Sequence, residues 1–324
     1  MNENREDPLP KSTDEPGARK GWRSAFTVFS VVVLLSLSVF AACVERKVPG
    51  ETVDGLREKS LTLRDKVRLR IGVRETLPYL SYRDPRTGVR SGFEIEIAKA
   101  VALDLGFTED RIDWVTVDTV QSRTHAIQAN LADIVVASLT MTPDRPVEFA
   151  GPYLLVPQAV LVHKKRTKPL ENLTDLAAPG VRLCTGTGST SAKALNDKHI
   201  KIELVNNGSQ CIEGMTAGIY DAYSTDLPIL ASVVATYPGL FEILDVIVAD
   251  TEERIGIAVP KGDTALRSLI AYILNSWLRR PDTGPWLLAY ERTIGPYLDL
   301  KYRSQPLVEN PPDLVDHDSK VRSK

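Results

Sequence analysis

A chain of 324 residues, 43% hydrophobic and 25% charged, has room for two cores of roughly 100–150 residues each and is neither a disordered tail nor a mini-protein. Forty Lys+Arg stand against forty-two Asp+Glu, a formal net charge of −2. No surplus of positive charge is available to neutralise a phosphate backbone, so no nucleic-acid partner is expected.

In chain order, a polar segment of mixed charge reaches Arg23, and an uncharged apolar run from Ala25 to Ala42 leads into Cys43. This is the order of an export signal, expected over 1–42. Small Ala41 and Ala42 before Cys43 suit a lipobox, whose thiol receives diacylglycerol and, with palmitate-type acyl chains, anchors the mature protein to the outer face of a cell membrane. The long n-region and Phe40, where lipoboxes usually carry Leu, Val or Ile, leave an uncleaved anchor as the alternative, because ~18 apolar residues approach the length of a bilayer span. In both cases the remainder faces outward, since it has no second apolar span.

Residues 43–65 are charged, broken by Pro and Gly, and without apolar period; they read as a tether. From Val67 the alternation of Val67, Leu69, Ile71 and Val73 predicts a strand. Gly92 precedes a helix on which Phe93, Ile97, Val101 and Leu105 share a face, with Glu94 and Glu96 in the first turn and Gly106 as the stop. Strand DWVTV, a helix through QSRTHAIQANL and the buried run ADIVVAS follow. After an expected hinge near 156–160 the alternation resumes with VRLCT, STSAKALN, IKIELV, a helix through Cys211 to Ala217, YDAYS and DLPILASVVA. The fold class is therefore α/β, with mostly parallel sheets flanked by helices. RIGIAVPKG is a further extended run, and an amphipathic helix covers about 264–278. The polar end beyond Tyr302 is expected to be disordered.

Two cysteines remain after Cys43. In an oxidising exterior, Cys184 and Cys211 favour a disulfide, the alternative being two buried free thiols. No metal site is expected, because the four His are scattered and no ligand spacing recurs.

Four segments in order, Arg70–Tyr82, Gly92–Gly106, Ala132–Tyr153 and Tyr220–Leu230, resemble the bacterial family 3 of extracellular solute-binding proteins, the polar amino-acid binders of ABC transporters. With TGTGSTS at 185–191 between the paired cysteines, the chain is most similar to actinobacterial glutamate- and glutamine-binding lipoproteins. The resemblance implies a two-lobe, type II periplasmic-binding-protein-like fold with two interlobe crossings. Its parts would be lobe 1 over 66–157 and 255–302, lobe 2 over 158–254, and a tail over 303–324. It also implies closure around an amino acid, a monomer, and delivery to an ABC permease or, alternatively, signalling through a membrane sensor.

A zwitterionic ligand needs a cation, an anion and a discriminating group in a dry cleft. Arg145 offers a planar fork for the α-carboxylate, with the Thr140 hydroxyl and the Ser138 backbone on the same loop. Asp226 is the expected partner of the α-ammonium, although a carboxylate there also suits a helix N-cap. Ser189 and Thr190, at a helix start after Gly186 and Gly188, can donate from the second lobe. The resemblance places Arg74 where family members read the ligand side chain and Arg123 where acidic-ligand binders line the cleft. Both cations suit a second carboxylate, so glutamate or aspartate is expected ahead of their amides. The open alternatives are pairing of Arg74 with Glu75 or solvent, and an exposed helix position for Arg123. Tyr79 and Tyr82 are candidates to pack on ligand methylenes or in the core. No catalytic residue and no cofactor are expected: no nucleophile is paired with His, and Asp226 beside arginines and a ligand ammonium should stay ionised. A dehydratase-type enzyme of the same fold is the remaining, less favoured class.

Overall fold

The computed structural model describes residues 50–166 and 170–314. The expected export signal over 1–42 and lipidation site at Cys43 lie outside the described residues. Among the described residues no helix is long and apolar enough to cross a membrane.

The segment expected to be a bare tether contains helix α1 (Val53–Lys59), capped by Thr52 Oγ1, which accepts the Gly55 amide at 2.9 Å. Its only buried residue is Leu56, and one apolar contact has no period for a sequence reading to detect. Asp263 secures the segment from 201 to 203 positions away, accepting from Ser60 Oγ and from the Thr62 amide at 2.9 Å each.

Lobe 1 is built on β1 (Leu69–Val73), β5 (Ile112–Thr116), β6 (Ile134–Thr140), β7 (Glu148–Val156) and β13 (Glu253–Val259), in the order β5-β1-β6-β13-β7. A small sheet of β2 (Thr76–Leu77), β3 (Ser81–Arg83) and β4 (Arg90–Ser91) precedes α2 (Phe93–Asp104); α3 (Val120–Gln128) follows β5. The alternation predicted from Val67 begins at Leu69 instead: Val67 is 72% exposed, while Leu69, Ile71 and Val73 are fully buried. Lobe 2 carries β8 (Gln158–His163), β9 (Leu183–Gly186), β10 (Glu203–Val205), β11 (Ala222–Asp226) and β12 (Phe241–Leu244), in the order β10-β9-β11-β8-β12. Around it lie α4 (Leu173–Leu176), α5 (Thr190–Asp197), α6 (Gly208–Thr216) and α7 (Leu227–Thr236), before α8 (Thr264–Trp277) and α9 (Pro285–Arg292) return to lobe 1.

Both sheets are mixed. β1 runs parallel to β5 and β6, and β9 parallel to β10 and β11, as strand–helix alternation requires. The strands that cross between lobes join antiparallel: β13 between β6 and β7, and β8 between β11 and β12. β7 passes through Pro157 directly into β8, and Glu253 at the start of β13 pairs with Val156. The buried Gln158 Nε2 donates to Glu253 Oε1 at 2.6 Å, so the two crossings are bonded to each other at the hinge.

Each sheet buries apolar side chains on both faces. In lobe 1 the largest cluster joins Phe93, Tyr153, Trp286 and Tyr290, and Trp286 Nε1 donates to the Tyr153 carbonyl at 2.7 Å. The expected disorder of 303–324 does not hold where the chain is described. Val308 and Leu314 are buried, the Glu309 amide donates to the Gly151 carbonyl at 2.8 Å, and Glu309 pairs with Arg254. Two apolar residues and a few bonds to lobe 1 hold this strap, too sparse a pattern to mark in sequence.

Cys184 on β9 and Cys211 on α6 are joined by a disulfide, with Cα atoms 5.8 Å apart and both side chains buried. The bond closes a loop across a sequence separation of 27 and holds the start of α6 against sheet 2. Replacing both cysteines by Ala is expected to lower unfolding free energy by about 3 kcal/mol through a freer unfolded chain. Urea titration of the oxidised and doubly substituted proteins measures this; a difference below about 1 kcal/mol would show that the loop contributes little.

Candidate functional site

The carboxyl ends of the parallel strands in both lobes point toward one cleft, where open α/β sheets gather ligands. From lobe 1 it receives Arg74 after β1, Asp118 and Arg123 around the start of α3, Ser138 and Thr140 at the end of β6, and Arg145 from the loop beyond. From lobe 2 come Gly186, Ser189 and Thr190 at the start of α5, Asn206 to Gly208 at the start of α6, and Tyr223, Thr225 and Asp226 along β11. All eight residues nominated from the sequence therefore line one cavity of about 50 Å³. One water needs roughly 10–15 Å³, so the space suits a small solute and no macromolecule. The lobes also touch: Gln121 Nε2 donates to the Thr187 carbonyl at 3.3 Å, and Ile229 of α7 joins the lobe 1 core.

Arg74 is 2% exposed, and its Nε has no hydrogen-bond partner. Glu75 does not take it: the Glu75 carboxylate pairs with Arg90 at 2.5 Å and with Arg83. Arg123 is 7% exposed and so is no surface position on its helix. Its Nη1 donates to the Ser138 carbonyl at 3.0 Å and its Nη2 to the Asp118 carbonyl at 3.4 Å, while its Nε is unpartnered. Burial first, then the nearby Arg74 charge, lowers the Arg123 pKa to about 9. Arg145 is half-buried, with Nε donating to the Thr140 carbonyl at 3.0 Å; burial lowers its pKa too.

Asp226 occupies the N-cap position of α7 but forms no side-chain cap bond. The helix-cap alternative is thus not realised; the carboxylate lines the cleft at 7% exposure. Burial, then the Glu253 carboxylate, raises its pKa to about 7 against the opposing pull of Arg123 and Arg74. Neighbouring arginines alone therefore do not hold the Asp226 carboxyl in the usual carboxylate range, because desolvation and a like charge outweigh them; the expected ionised form also needs the ligand's ammonium.

Other residues are committed locally. Ser189 Oγ caps α5 by accepting the Ala192 amide at 3.0 Å, so the amides at the start of that helix, Thr190 included, are what it presents to the cleft. The Ser138 amide and hydroxyl both donate to Glu94 Oε1, at 2.6 and 2.9 Å. The remaining polar group of Ser138 is its carbonyl, which accepts from Arg123. Tyr79 and Tyr82 do not line the cavity; the Tyr79 ring lies 4.5 Å from that of Tyr297.

Sequence reasoning did not nominate Asp118, Tyr223, Thr225 or the Asn206–Gly208 turn. The turn carries a signal of its own, an Asn207/Gln210 capping box before a helix that starts with Gly208. A Cβ on Gly208 would stand 2.3 Å from Tyr223 Oη and 3.8 Å from Arg74 Nη2, so the glycine is what lets the Tyr223 hydroxyl and Arg74 approach the start of α6.

Among curated proteins, the glutamate-binding protein GluB of Corynebacterium efficiens is 31% identical over 207 residues, 60% of this chain and 68% of that protein. The ABC transporter glutamine-binding protein GlnH of Bacillus subtilis is 27% identical, over 73% of this chain and 86% of that protein. Among solved structures, an ancestral arginine-binding protein bound to glutamine is 28% identical with a TM-score of 0.62, covering 70% of this chain and 98% of that one. The solute receptor for L-cysteine of Neisseria gonorrhoeae is 27% identical with a TM-score of 0.64, covering 77% and 96%. The family model for bacterial extracellular solute-binding proteins matches residues 69–280, from β1 through α8, and with these two lobes and their shared cleft the chain belongs to bacterial extracellular solute-binding proteins, family 3.

Proposed function

We propose that this protein captures an acidic amino acid, glutamate or aspartate, between its lobes outside the cell membrane and passes it to an ABC permease. The observation that carries the reading is the charge pattern of one cavity. Arg74, Arg123 and Arg145 converge there, two of them more than nine-tenths buried with an unpartnered Nε. Such cations are costly to bury unless an anion meets them. Of the two acids in the lining, Asp118 Oδ1 already accepts the Glu75 amide at 3.1 Å, which leaves Asp226.

A ligand with two carboxylates and one ammonium fits this set. The α-carboxylate meets Arg145, Thr140 and the start of α5. The ammonium lies between Asp226 and the Ser138 carbonyl. The side-chain carboxylate meets Arg74, with Arg123 beside it, in the space that Gly208 keeps open. Support comes from the glutamate- and glutamine-binding relatives. The arginine- and cysteine-binding neighbours share the fold, but an arginine ligand here would set a cation against Arg74 and Arg123. Anchoring through Cys43 belongs to the same proposal and rests on the sequence before it.

Calorimetric titration of the mature domain with glutamate, aspartate, glutamine, asparagine and arginine tests the reading. An acid should bind more than tenfold tighter than its amide, because a lost charged hydrogen bond costs about 1.5–3 kcal/mol. Arg74→Gln should shrink that ratio, weakening acids more than amides. Tighter binding of glutamine or arginine than of both acids would defeat the proposal. Chemical conversion of the recovered ligand would move the protein to the dehydratase-type class.

A further inference from the structure

Glu94 stands in the first turn of α2, as its spacing predicts, but its carboxylate bonds outside its own helix. It is fully buried, and its Oε1 accepts from the Ser138 amide at 2.6 Å, from Ser138 Oγ at 2.9 Å and from Tyr153 Oη at 2.7 Å. The Ser138 amide also reaches Tyr153 Oη at 3.3 Å. Its other oxygen, Oε2, is buried without a partner. Ser138 itself has φ +46°, a left-handed conformation that costs a side-chain-bearing residue free energy and that glycine adopts readily. The one remaining polar group of Ser138, its carbonyl, accepts from Arg123, and both residues line the cleft.

We infer that Glu94 is a positioning residue for the ligand's ammonium: it holds Ser138 in the left-handed conformation, which turns the Ser138 carbonyl and its Arg123 partner into the cleft. A carboxylate oxygen taking three donors makes charge-assisted bonds to two groups of one residue, and these fix that residue's backbone more firmly than neutral acceptors do. α2 follows Gly92, its N-cap residue, on which a Cβ would stand 2.6 Å from the Leu80 carbonyl, and the Glu94 amide donates to Leu80 O at 2.8 Å, so the helix start that carries the carboxylate is itself pinned. A carbonyl has two lone pairs, and Arg123 uses one; the second is left for an ammonium donor. Tyr153, whose ring packs 6.3 Å from Phe93, donates to the same carboxylate oxygen and so helps to fix it.

The inference rests on the amino-acid reading of the cleft, and the test separates the two. Glutamate and glutamine are titrated into wild type, Glu94→Leu, Glu94→Gln and the double variant Glu94→Leu/Ser138→Gly, with thermal melts of each. Glu94→Leu should weaken both ligands at least thirtyfold and by the same factor, since the ammonium is common to them. Glu94→Gln keeps an acceptor and should fall between. Ser138→Gly in the Leu background should recover at least tenfold, because glycine needs no carboxylate to hold positive φ. If Glu94→Leu does not fold, the comparison runs on Glu94→Gln with and without Ser138→Gly, where recovery of at least threefold is expected. Binding within threefold of wild type in Glu94→Leu, a change in the acid-to-amide ratio, or a folded double variant without recovery would overturn the inference. Failure of wild type to bind any amino acid would instead remove the amino-acid reading, and the inference with it.

Discussion

Asp226→Asn should abolish amino-acid binding and at the same time make the ligand-free protein more stable above neutral pH. The carboxyl is buried beside Glu253, and its pKa stands at about 7 in the folded chain against an ordinary 3.8. A raised folded pKa contributes stability that is fully present below the unfolded value and is lost as pH rises through the folded one. Between about pH 4 and 7 the unfolded chain has released this proton while the folded chain retains it, and the loss amounts to a few kcal/mol on the order of 1.4 per pH unit. Above pH 7 the wild type carries an ionised, uncapped carboxylate in its cleft; asparagine carries none. Melting curves at pH 5 and pH 8 should therefore show the variant gaining on wild type as pH rises. A merely structural aspartate would give a variant destabilised at both.

The same carboxyl predicts how binding responds to acid. An arriving ammonium favours the ionised form, so at pH 6 wild-type binding should release close to one proton, seen as a dependence of calorimetric enthalpy on the buffer's ionisation enthalpy. Affinity should drop about tenfold per pH unit below 7. Asp226→Asn should lose two to four orders of magnitude at pH 8, from a cationic group left without its anion, at about 3–5 kcal/mol. Retained affinity in the variant would remove Asp226 from the site.

Arg145→Ala is expected to weaken every amino-acid ligand by two to four orders of magnitude, again about 3–5 kcal/mol for a desolvated carboxylate stripped of its cation. The residue is half-buried on the loop beyond β6, and its hydrogen bond runs to the Thr140 carbonyl, so truncation should leave the melting temperature within a few degrees of wild type. Because the α-carboxylate is common to all the ligands, acids and amides should fall together. This separates Arg145 from Arg74, whose replacement should change the ratio between them. Arg145→Lys should restore only part of the affinity, since an ammonium is a point charge and cannot match the two parallel bonds of a guanidinium fork. Parallel titrations with glutamate and glutamine decide it; an unequal loss would reassign Arg145 to the side chain.

Much of the scaffold was legible because it follows local period. The alternation around Leu69, Ile71 and Val73, the apolar run of β6 and the helical spacing from Phe93 reflect burial on one or two faces, which neighbouring residues report. The nominated arginines and Asp226 meet because parallel strands deliver their carboxyl ends to one crevice, a consequence of chain order. Other features had no local trace. α1 and the 303–314 strap depend on partners as distant as Asp263 and Gly151. The antiparallel entry of β8 and β13 depends on pairing with strands far along the chain, β11 for β8 and β6 for β13. Tyr79, open from the sequence to ligand contact or packing, lies against Tyr297 and does not line the cavity.

Sequence by itself determined which residue types stand at the strand ends, because period and order are properties of neighbours along the chain. Tertiary structure alone decided their burial and their hydrogen-bond partners. Whether Asp226 is ionised depends on burial and on Glu253, which stands at the hinge further along the chain. Whether Glu94 serves its own helix or Ser138, forty-four residues away, depends on which donors folding brings to it, and that contact has no counterpart in local spacing.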